Sequence, residues 1–417
     1  MRILQVSEDI PYPSLGGLAK HVLTLARALI REGHEVDILG GAQHPLSVAG
    51  KSGEFDGMFF GELSWHLSGW KETRFGTFMP PRRPWVARRM ARCILEHAER
   101  YDVVHYHGHF PTIGKYIPHG IPFLQTRHDQ GSDCLKNTRF RDGNICERVS
   151  ASDCASCIAP IPNALQRVVS TIAVNNHREN VIEAFKRHKT IFVSEMLRRN
   201  FVRTSGPGDW GEVLHNFVDI SCESITTDVA KPSRDVGMSL PFAFVAGMLY
   251  PPKGIGALVQ AFVEAMPLDI NLVIAGDGPD ELTLRKSFEH AERIKFLGWC
   301  DYSDVLRYVK QCNAVIVPSI WEEPCATTIL EGLALGKLVY ALDRGGNREL
   351  AIYQRYSTQL RLFANLHDLV SNLLELPSES RVPSCAEFTG SVEYRLQQLL
   401  NIYQEVINGD GERAYSV

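Results

Sequence analysis

The sequence predicts an α/β protein made of two doubly wound domains, and three observations carry that expectation. The chain opens as strand, glycine-broken loop, helix and strand: Arg2 to Ser7, the Gly16-Gly17 pair, Leu18 to Arg31 ended by Gly33, then Glu35 to Leu39. Strands and helices keep alternating in both halves, the pattern of parallel sheets joined by helical crossovers. With 417 residues the chain is too long for one hydrophobic core and suits two. The hinge is expected in residues 221–240, which carry little periodicity, include Pro232 and run up to Pro241.

Composition narrows the class of function. Hydrophobic residues make up 44% and charged residues 22%, with a formal net charge of −4. No apolar run reaches the ~18 residues of a spanning helix. The near-neutral balance argues against general nucleic-acid binding, which needs a clearly basic domain. The opening MRILQVSEDIPYPS reads as a first strand and not as a signal peptide, so a cytoplasmic location is expected. The 10 cysteines are then expected to be reduced.

Within the first half, Gly16 and Gly17 sit where a backbone could approach a phosphate, or where the chain simply turns. His21, on the following helix, could face a ligand or serve only the helix. An irregular stretch covers about 50 to 80. After it comes a helix whose apolar stripe is Val86, Met90, Cys93 and Ile94, with Arg88 and Arg92 away from the stripe and Arg82, Arg83 and Arg89 flanking it. That basic face is either a solvated surface or a peripheral contact, Arg82 to Arg92, with the inner face of an anionic membrane. The strand Asp102 to His107 presents His107 and His109 at its carboxyl end, and Pro122 to Thr126 ends in Arg127-His128-Asp129 at the same edge. This edge is where ligands bind in such sheets.

Cys134, Cys146, Cys154 and Cys157 then fall in a polar segment without helix or strand periodicity. Four thiols in a loop could hold one structural zinc, could stay free or could pair as disulfides. A helix near 163 to 187, a strand Thr190 to Ser194, a helix Glu195 to Phe201 and a short strand Glu212 to Leu214 complete this half.

The second half begins with strand Pro241 to Ala246 and the loop Met248-Leu249-Tyr250-Pro251-Pro252-Lys253-Gly254 into a helix from Ile255 to Met266. Lys253 beside a helix start could share a diphosphate with backbone amides, or be a solvated lysine in a turn. Strand Leu272 to Ala275 runs into Gly276-Asp277-Gly278-Pro279, and a strand Lys295 to Leu297 into Gly298-Trp299. The buried strand Ala314 to Val317 leads into WEEPCATTILEGLALG, Trp321 to Gly336. Here Thr327 or Thr328 is expected to cap a helix whose positive end faces the loop. Glu323 and Glu331 could flank a phosphate held by the amides after Cys325 and Ala326, or could be first-turn acids serving the helix terminus alone. Lys337 to Leu342 and Arg344 to Glu349 follow, and a long helix is expected from Val392 to Ile407.

Taken together, GGLAKHV, DVVHYH, TRHD, FVSEML, HNFVD, PPKG, AGDGP, WEEPCATTILEGLALG and GGNRE resemble, in order and over nearly the whole chain, a retaining GT-B glycosyltransferase of family 4. The resemblance implies two Rossmann-like domains facing across a cleft. Residues 1–225 would hold the acceptor, 240–390 the nucleotide-sugar donor, and a helix at about 392–417 would pack back on the first domain. It implies that Glu331 binds the ribose hydroxyls, that Glu323 holds hydroxyls of the transferred sugar and that Lys253 neutralises the leaving diphosphate with help from Gly16 and Gly17. His107 would sit beside the reacting sugar, and Gly278, Cys325, Ala326 and Thr327 would line the donor site. Met248 departs from the pattern, standing where the family usually has Arg, and Cys325-Ala326 stands where Phe-Gly is common.

The activity so implied is transfer of a sugar from a UDP- or GDP-linked donor to a hydroxyl of a saccharide or lipid-linked saccharide, as in surface polysaccharide biosynthesis, with retained configuration and no catalytic cofactor. Two other readings remain: a non-catalytic GT-B partner protein that binds nucleotide-sugar, and a GT-B nucleotide-sugar epimerase.

Overall fold

The computed structural model of the chain describes residues 1–10, 16–42, 55–64, 84–158, 164–220, 241–265, 270–373 and 388–414. The expected hinge, 221–240, lies outside them, as do Arg82 and Arg83. The chain divides into two compact units: Met1–Arg139 with Glu147–Asn216 and Val392–Val417, and Phe140–Cys146 with Phe217–Ser391.

In the first unit the strands are β1 (Arg2–Ser7), β2 (Glu35–Gly41), β3 (Phe59–Leu63), β4 (Val103–His107) and β5 (Phe123–Arg127). After the short antiparallel hairpin of β6 (Phe140–Arg141) and β7 (Asn144–Ile145), the sheet resumes with β8 (Lys189–Phe192) and β9 (Glu212–Val213). The seven sheet strands run parallel in the order β3-β2-β1-β4-β5-β8-β9. Central strands are buried throughout, as expected when helices cover both faces. The helix Gly17–Arg31 turns Ala19, Val22, Leu23, Leu25, Ala26 and Leu29 inward. The helix Pro84–Ala98 does the same with Val86, Met90 and Ile94, against Leu4, Val6, Val104 and Tyr106. Its Arg88, Arg89 and Arg92 are exposed and Trp85 is half exposed. The last helix, Val392–Ala414, belongs to this unit and buries Leu396, Leu399, Ile402, Tyr403 and Val406.

Two stretches differ from the sequence expectation. The interval read as irregular contains β3, a short edge strand too brief to show alternation. The segment around the four cysteines, expected to lack periodicity, carries the β6–β7 hairpin and a helix, Ala151–Ile158. Elements of two to eight residues leave too few repeats for a period to register.

The second unit holds β10 (Phe242–Ala246), β11 (Asn271–Ala275), β12 (Ile294–Gly298), β13 (Ala314–Val317), β14 (Leu338–Leu342) and β15 (Leu360–Phe363). All pairings are parallel, in the order β12-β11-β10-β13-β14-β15. Its core joins Val245, Leu258, Phe262, Ile274, Ile316 and Tyr340. In each unit one strand pair marks where the chain reverses its direction of growth: β1 and β4 in the first, β10 and β13 in the second. Loops leaving the carboxyl ends of such a pair diverge and open a crevice, which is the ligand position of this architecture.

Candidate active site

The second unit's crevice is bounded by the loop after β10, Gly247 to Lys253, and the loop after β13, Pro318 to Ala326. Lys253 ends a short 3-10 turn, Pro251–Lys253, and its Nζ lies 2.7 Å from Glu323 Oε1. Trp321 Nε1 donates to Glu323 Oε2 at 2.6 Å, and the Lys253 ammonium sits 5.2 Å from the centre of the Trp321 ring. Burial alone would push the Glu323 pKa up. The Lys253 charge and hydrogen bonds from Lys253, Ser319 and Trp321 outweigh it and hold the carboxyl below its ordinary value. Glu323 is therefore an anchored carboxylate with both oxygens occupied, 6% exposed.

The helix Thr327–Ala334 starts immediately after this loop. Its N-cap is Ala326, with no side-chain cap, so the expected capping by Thr327 or Thr328 does not occur. The opening amides of a helix have no partner within it, and this end carries the positive pole of the helix dipole. Cys325 and Ala326 are buried against the loop, while Thr327 is half-buried. Glu331, one turn in, is buried and accepts a hydrogen bond from Tyr302, at the start of the helix Tyr302–Gln311. Burial raises the Tyr302 pKa, and the charge of Glu331 adds to it.

Two glycines shape this crevice. Gly345 has φ +59°, and a Cβ there would lie 2.5 Å from the backbone N and O of Glu323. Gly346 N donates to Glu323 O at 2.7 Å, so the GGNRE turn locks the loop that carries the carboxylate. Gly278, at φ +153°, lets its loop close on Leu249, whose carbonyl would be 2.4 Å from an added Cβ. Met248 is exposed beside that loop.

In the first unit, His107 closes β4, fully buried. Its Nε2 lies 2.9 Å from Gln5 Oε1 and its Nδ1 lies 3.1 Å from His128 Nε2. Gln5 Nε2 donates to the Tyr403 hydroxyl at 3.0 Å, and that hydroxyl meets His105 Nδ1 at 2.8 Å. Gln5 thus offers His107 its carbonyl oxygen, which places the His107 proton on Nε2. Burial, followed by the neighbouring imidazoles, holds His107 well below its ordinary pKa, so it is neutral. His109 is the opposite case. Burial works against its charge, but Asp9 at 3.1 Å and Asp129 at 2.6 Å hold its pKa well above the ordinary value. Glu8, buried beside it, is pushed up to about 7 by burial, against the pull of His109. Arg127, fully buried, donates to Gly108 O at 2.7 Å and pairs with Asp129.

The structure thus brings Lys253 and Glu323 together, with Glu331 on the next helix, in one unit, and places His107 among polar partners in the other. Gly16, the N-cap, and Gly17 begin the first helix, exposed, with open space where a Cβ would stand. The cysteines do not gather as a zinc site requires. Cys154 and Cys157 fall on the helix Ala151–Ile158, and Cys154 packs beside Ala155 and Val174 and accepts from Arg178 at 3.4 Å. Cys134 accepts from the Arg139 amide at 3.3 Å, and Cys146 belongs to the other unit. Among the described residues Cys134, Cys154 and Cys157 form no group of convergent ligand atoms, and no disulfide joins them. Sequence reading missed Gln5, Glu8, Tyr302 and Tyr403. The Gln5 contact spans almost the whole chain, and no local pattern announces it.

Two parallel-sheet α/β units, each with polar side chains at its switch point, define the GT-B class of glycosyltransferases. Residues 15–221 match the family model described as Glycosyltransferase Family 4, and residues 230–380 match that of Glycosyl transferases group 1. The chain belongs to glycosyltransferase family 4. It is 23% identical over 369 residues to the uncharacterized glycosyltransferase MJ1607 of Methanocaldococcus jannaschii, covering 84% of this chain and 82% of that one. Among solved structures it resembles HepE of Anabaena in complex with UDP (TM-score 0.57, 15% identity, all of both chains covered). Sucrose-phosphate synthase of Thermosynechococcus elongatus is similar at TM-score 0.63 and 16% identity, covering 98% of this chain and 99% of that one. Among the described residues no helix is long and apolar enough to cross a membrane.

Proposed function

We propose that the protein transfers a sugar from a nucleoside-diphosphate donor, UDP- or GDP-linked, to a hydroxyl of a saccharide or lipid-linked saccharide, retaining configuration. The observation that carries this reading is the Lys253–Glu323 pair, 2.7 Å apart, in the loop that leads into the helix at Thr327. A diphosphate at that helix end would meet backbone amides, the positive helix pole and the Lys253 ammonium. Glu331 would then take the ribose hydroxyls and Glu323 those of the sugar. HepE, crystallised with UDP and with UDP-glucose, supports a nucleotide-sugar donor.

Glu323 has one oxygen on Lys253 and the other on Trp321, which suits a group that positions hydroxyls better than one that attacks carbon. The retained configuration then comes from attack on the face the diphosphate leaves. The departing phosphate oxygen takes the acceptor proton, while the protein supplies position and positive charge. His107, neutral and oriented by Gln5, would accept a hydrogen bond from a sugar hydroxyl at Nδ1 in place of its present His128 partner. A lipid-linked acceptor would bring Trp85, Arg88, Arg89 and Arg92 to an anionic surface. The test is a thermal-shift panel of UDP, GDP, dTDP and their sugars, followed by nucleoside-diphosphate release in chelator. A tight donor raises the unfolding temperature by mass action, and release persists without Mg²⁺ or Mn²⁺. No shift with any nucleotide, or release abolished by chelator, would contradict the reading. Turnover of the donor to a new nucleotide-sugar without acceptor would favour the epimerase.

A further inference from the structure

The first unit gathers three imidazoles whose arrangement exceeds what sugar transfer asks of His107 alone. His21 lies on the helix Gly17–Arg31, His107 at the end of β4 and His128 just beyond β5. Their ring centres are 5.7 Å apart for His21 and His107, 4.8 Å for His21 and His128, and 5.4 Å for His107 and His128. Each ring offers one nitrogen within 4.8 Å of the other two. We propose that His21, His107 and His128 form a three-imidazole site for a divalent transition metal, with zinc the fitting ion.

Zinc binds imidazole nitrogen at about 2.0 to 2.1 Å in tetrahedral geometry, which sets ligand nitrogens about 3.3 Å apart. His107 Nδ1 and His128 Nε2, at 3.1 Å, already have nearly that spacing. Metal binding requires the His21 nitrogen, within 4.8 Å of the other two, to draw in to the same spacing. Ligand imidazoles characteristically have their second nitrogen hydrogen-bonded to an acceptor that fixes the tautomer. His107 meets that condition: Gln5 Oε1 takes its Nε2 proton and leaves Nδ1 as the lone pair facing His128. His105, the ring beside His107, is held by Tyr403 and Thr126 and stays outside the set. Three protein ligands leave a fourth position for water or an anion. If His107 acts in transfer as proposed above, bound zinc withdraws it, so the metal inhibits; this consequence alone rests on that reading.

The experiment is titration of the metal-stripped, full-length protein with Co²⁺, followed by displacement with Zn²⁺. One equivalent of cobalt should give the visible absorption of a tetrahedral nitrogen site, without a thiolate-to-metal charge-transfer band. His21→Ala and His128→Ala should each weaken binding at least tenfold, and Gln5→Ala about tenfold through the lost second contact. Circular dichroism and thermal melting verify that each variant folds; if one does not, the other His variant carries the comparison. A thiolate band that persists in His128→Ala would assign the metal to the cysteines and overturn the proposal. So would binding as tight in both His variants as in the wild type, or no stoichiometric binding. Any of these results leaves the transfer reading standing, because donor binding belongs to the other unit.

Discussion

At the scale of the residue, the molecule depends on how Glu323 is kept charged while buried. Its carboxyl is held below its ordinary pKa because Lys253, Ser319 and Trp321 outweigh burial. A depressed carboxylate stabilises the fold above its unfolded pKa, near 4.5, and that stability is lost as pH falls through the folded value. Glu323→Gln should therefore cost about 1 to 3 kcal/mol at neutral pH, since it strips a charged hydrogen-bond partner from Lys253. Urea unfolding between roughly pH 5 and pH 3 should show a smaller loss for the variant than for the wild type. Equal acid sensitivity would mean that Glu323 carries no depressed titration. The sequence singled out both members of this pair, because Lys253 beside a glycine and Glu323 in a strand-to-helix loop are local patterns. It did not announce Trp321 as the second anchor, since a tryptophan in a loop reads equally as core.

At the scale of the element, the helix Thr327–Ala334 is positioned from both sides: β13 before it, and the turn at Gly345 locking the loop behind it. Gly345→Ala would force a left-handed residue with a Cβ 2.5 Å from the Glu323 backbone. The strain should cost about 1 to 3 kcal/mol. The displaced loop should also lower turnover more than the stability loss alone explains, measured as kcat beside urea denaturation. Unchanged turnover would mean that the Glu323 loop is not held by this turn. Long elements were legible from periodicity or from apolar runs, including the helix Leu18 to Arg31 and the strand Ala314 to Val317. The helix Ala151–Ile158 was not, because its stripe of Ala151, Cys154, Ala155 and Ile158 spans only two turns among serines and an aspartate, too short for a period to register. The missing cap at Ala326 was likewise unreadable: two threonines sit beside it, and geometry alone decides that neither folds back.

At the scale of the whole molecule, two parallel sheets repeat one solution, a crevice at the switch point of strand order, and the alternation of strands and helices foretold both. What escaped the sequence joins residues far apart in the chain. Tyr403 in the last helix reaches Gln5 in the first strand and, through it, sets the tautomer of His107. Surface behaviour belongs at this scale too. With Arg88, Arg89 and Arg92 exposed beside Trp85, the full-length protein should co-sediment with anionic phospholipid vesicles and less with neutral ones. Changing Arg88 and Arg92 to Glu should abolish the difference; equal sedimentation with both vesicle types would remove the membrane reading. The central claim is that a nucleotide-sugar binds the second unit with Glu331 on its ribose. Calorimetric titration of the preferred nucleoside diphosphate into wild-type protein and Glu331→Ala tests it most directly. The account predicts saturable one-to-one binding to the wild type and at least a tenfold weaker affinity in the variant. Undiminished affinity in Glu331→Ala would contradict it.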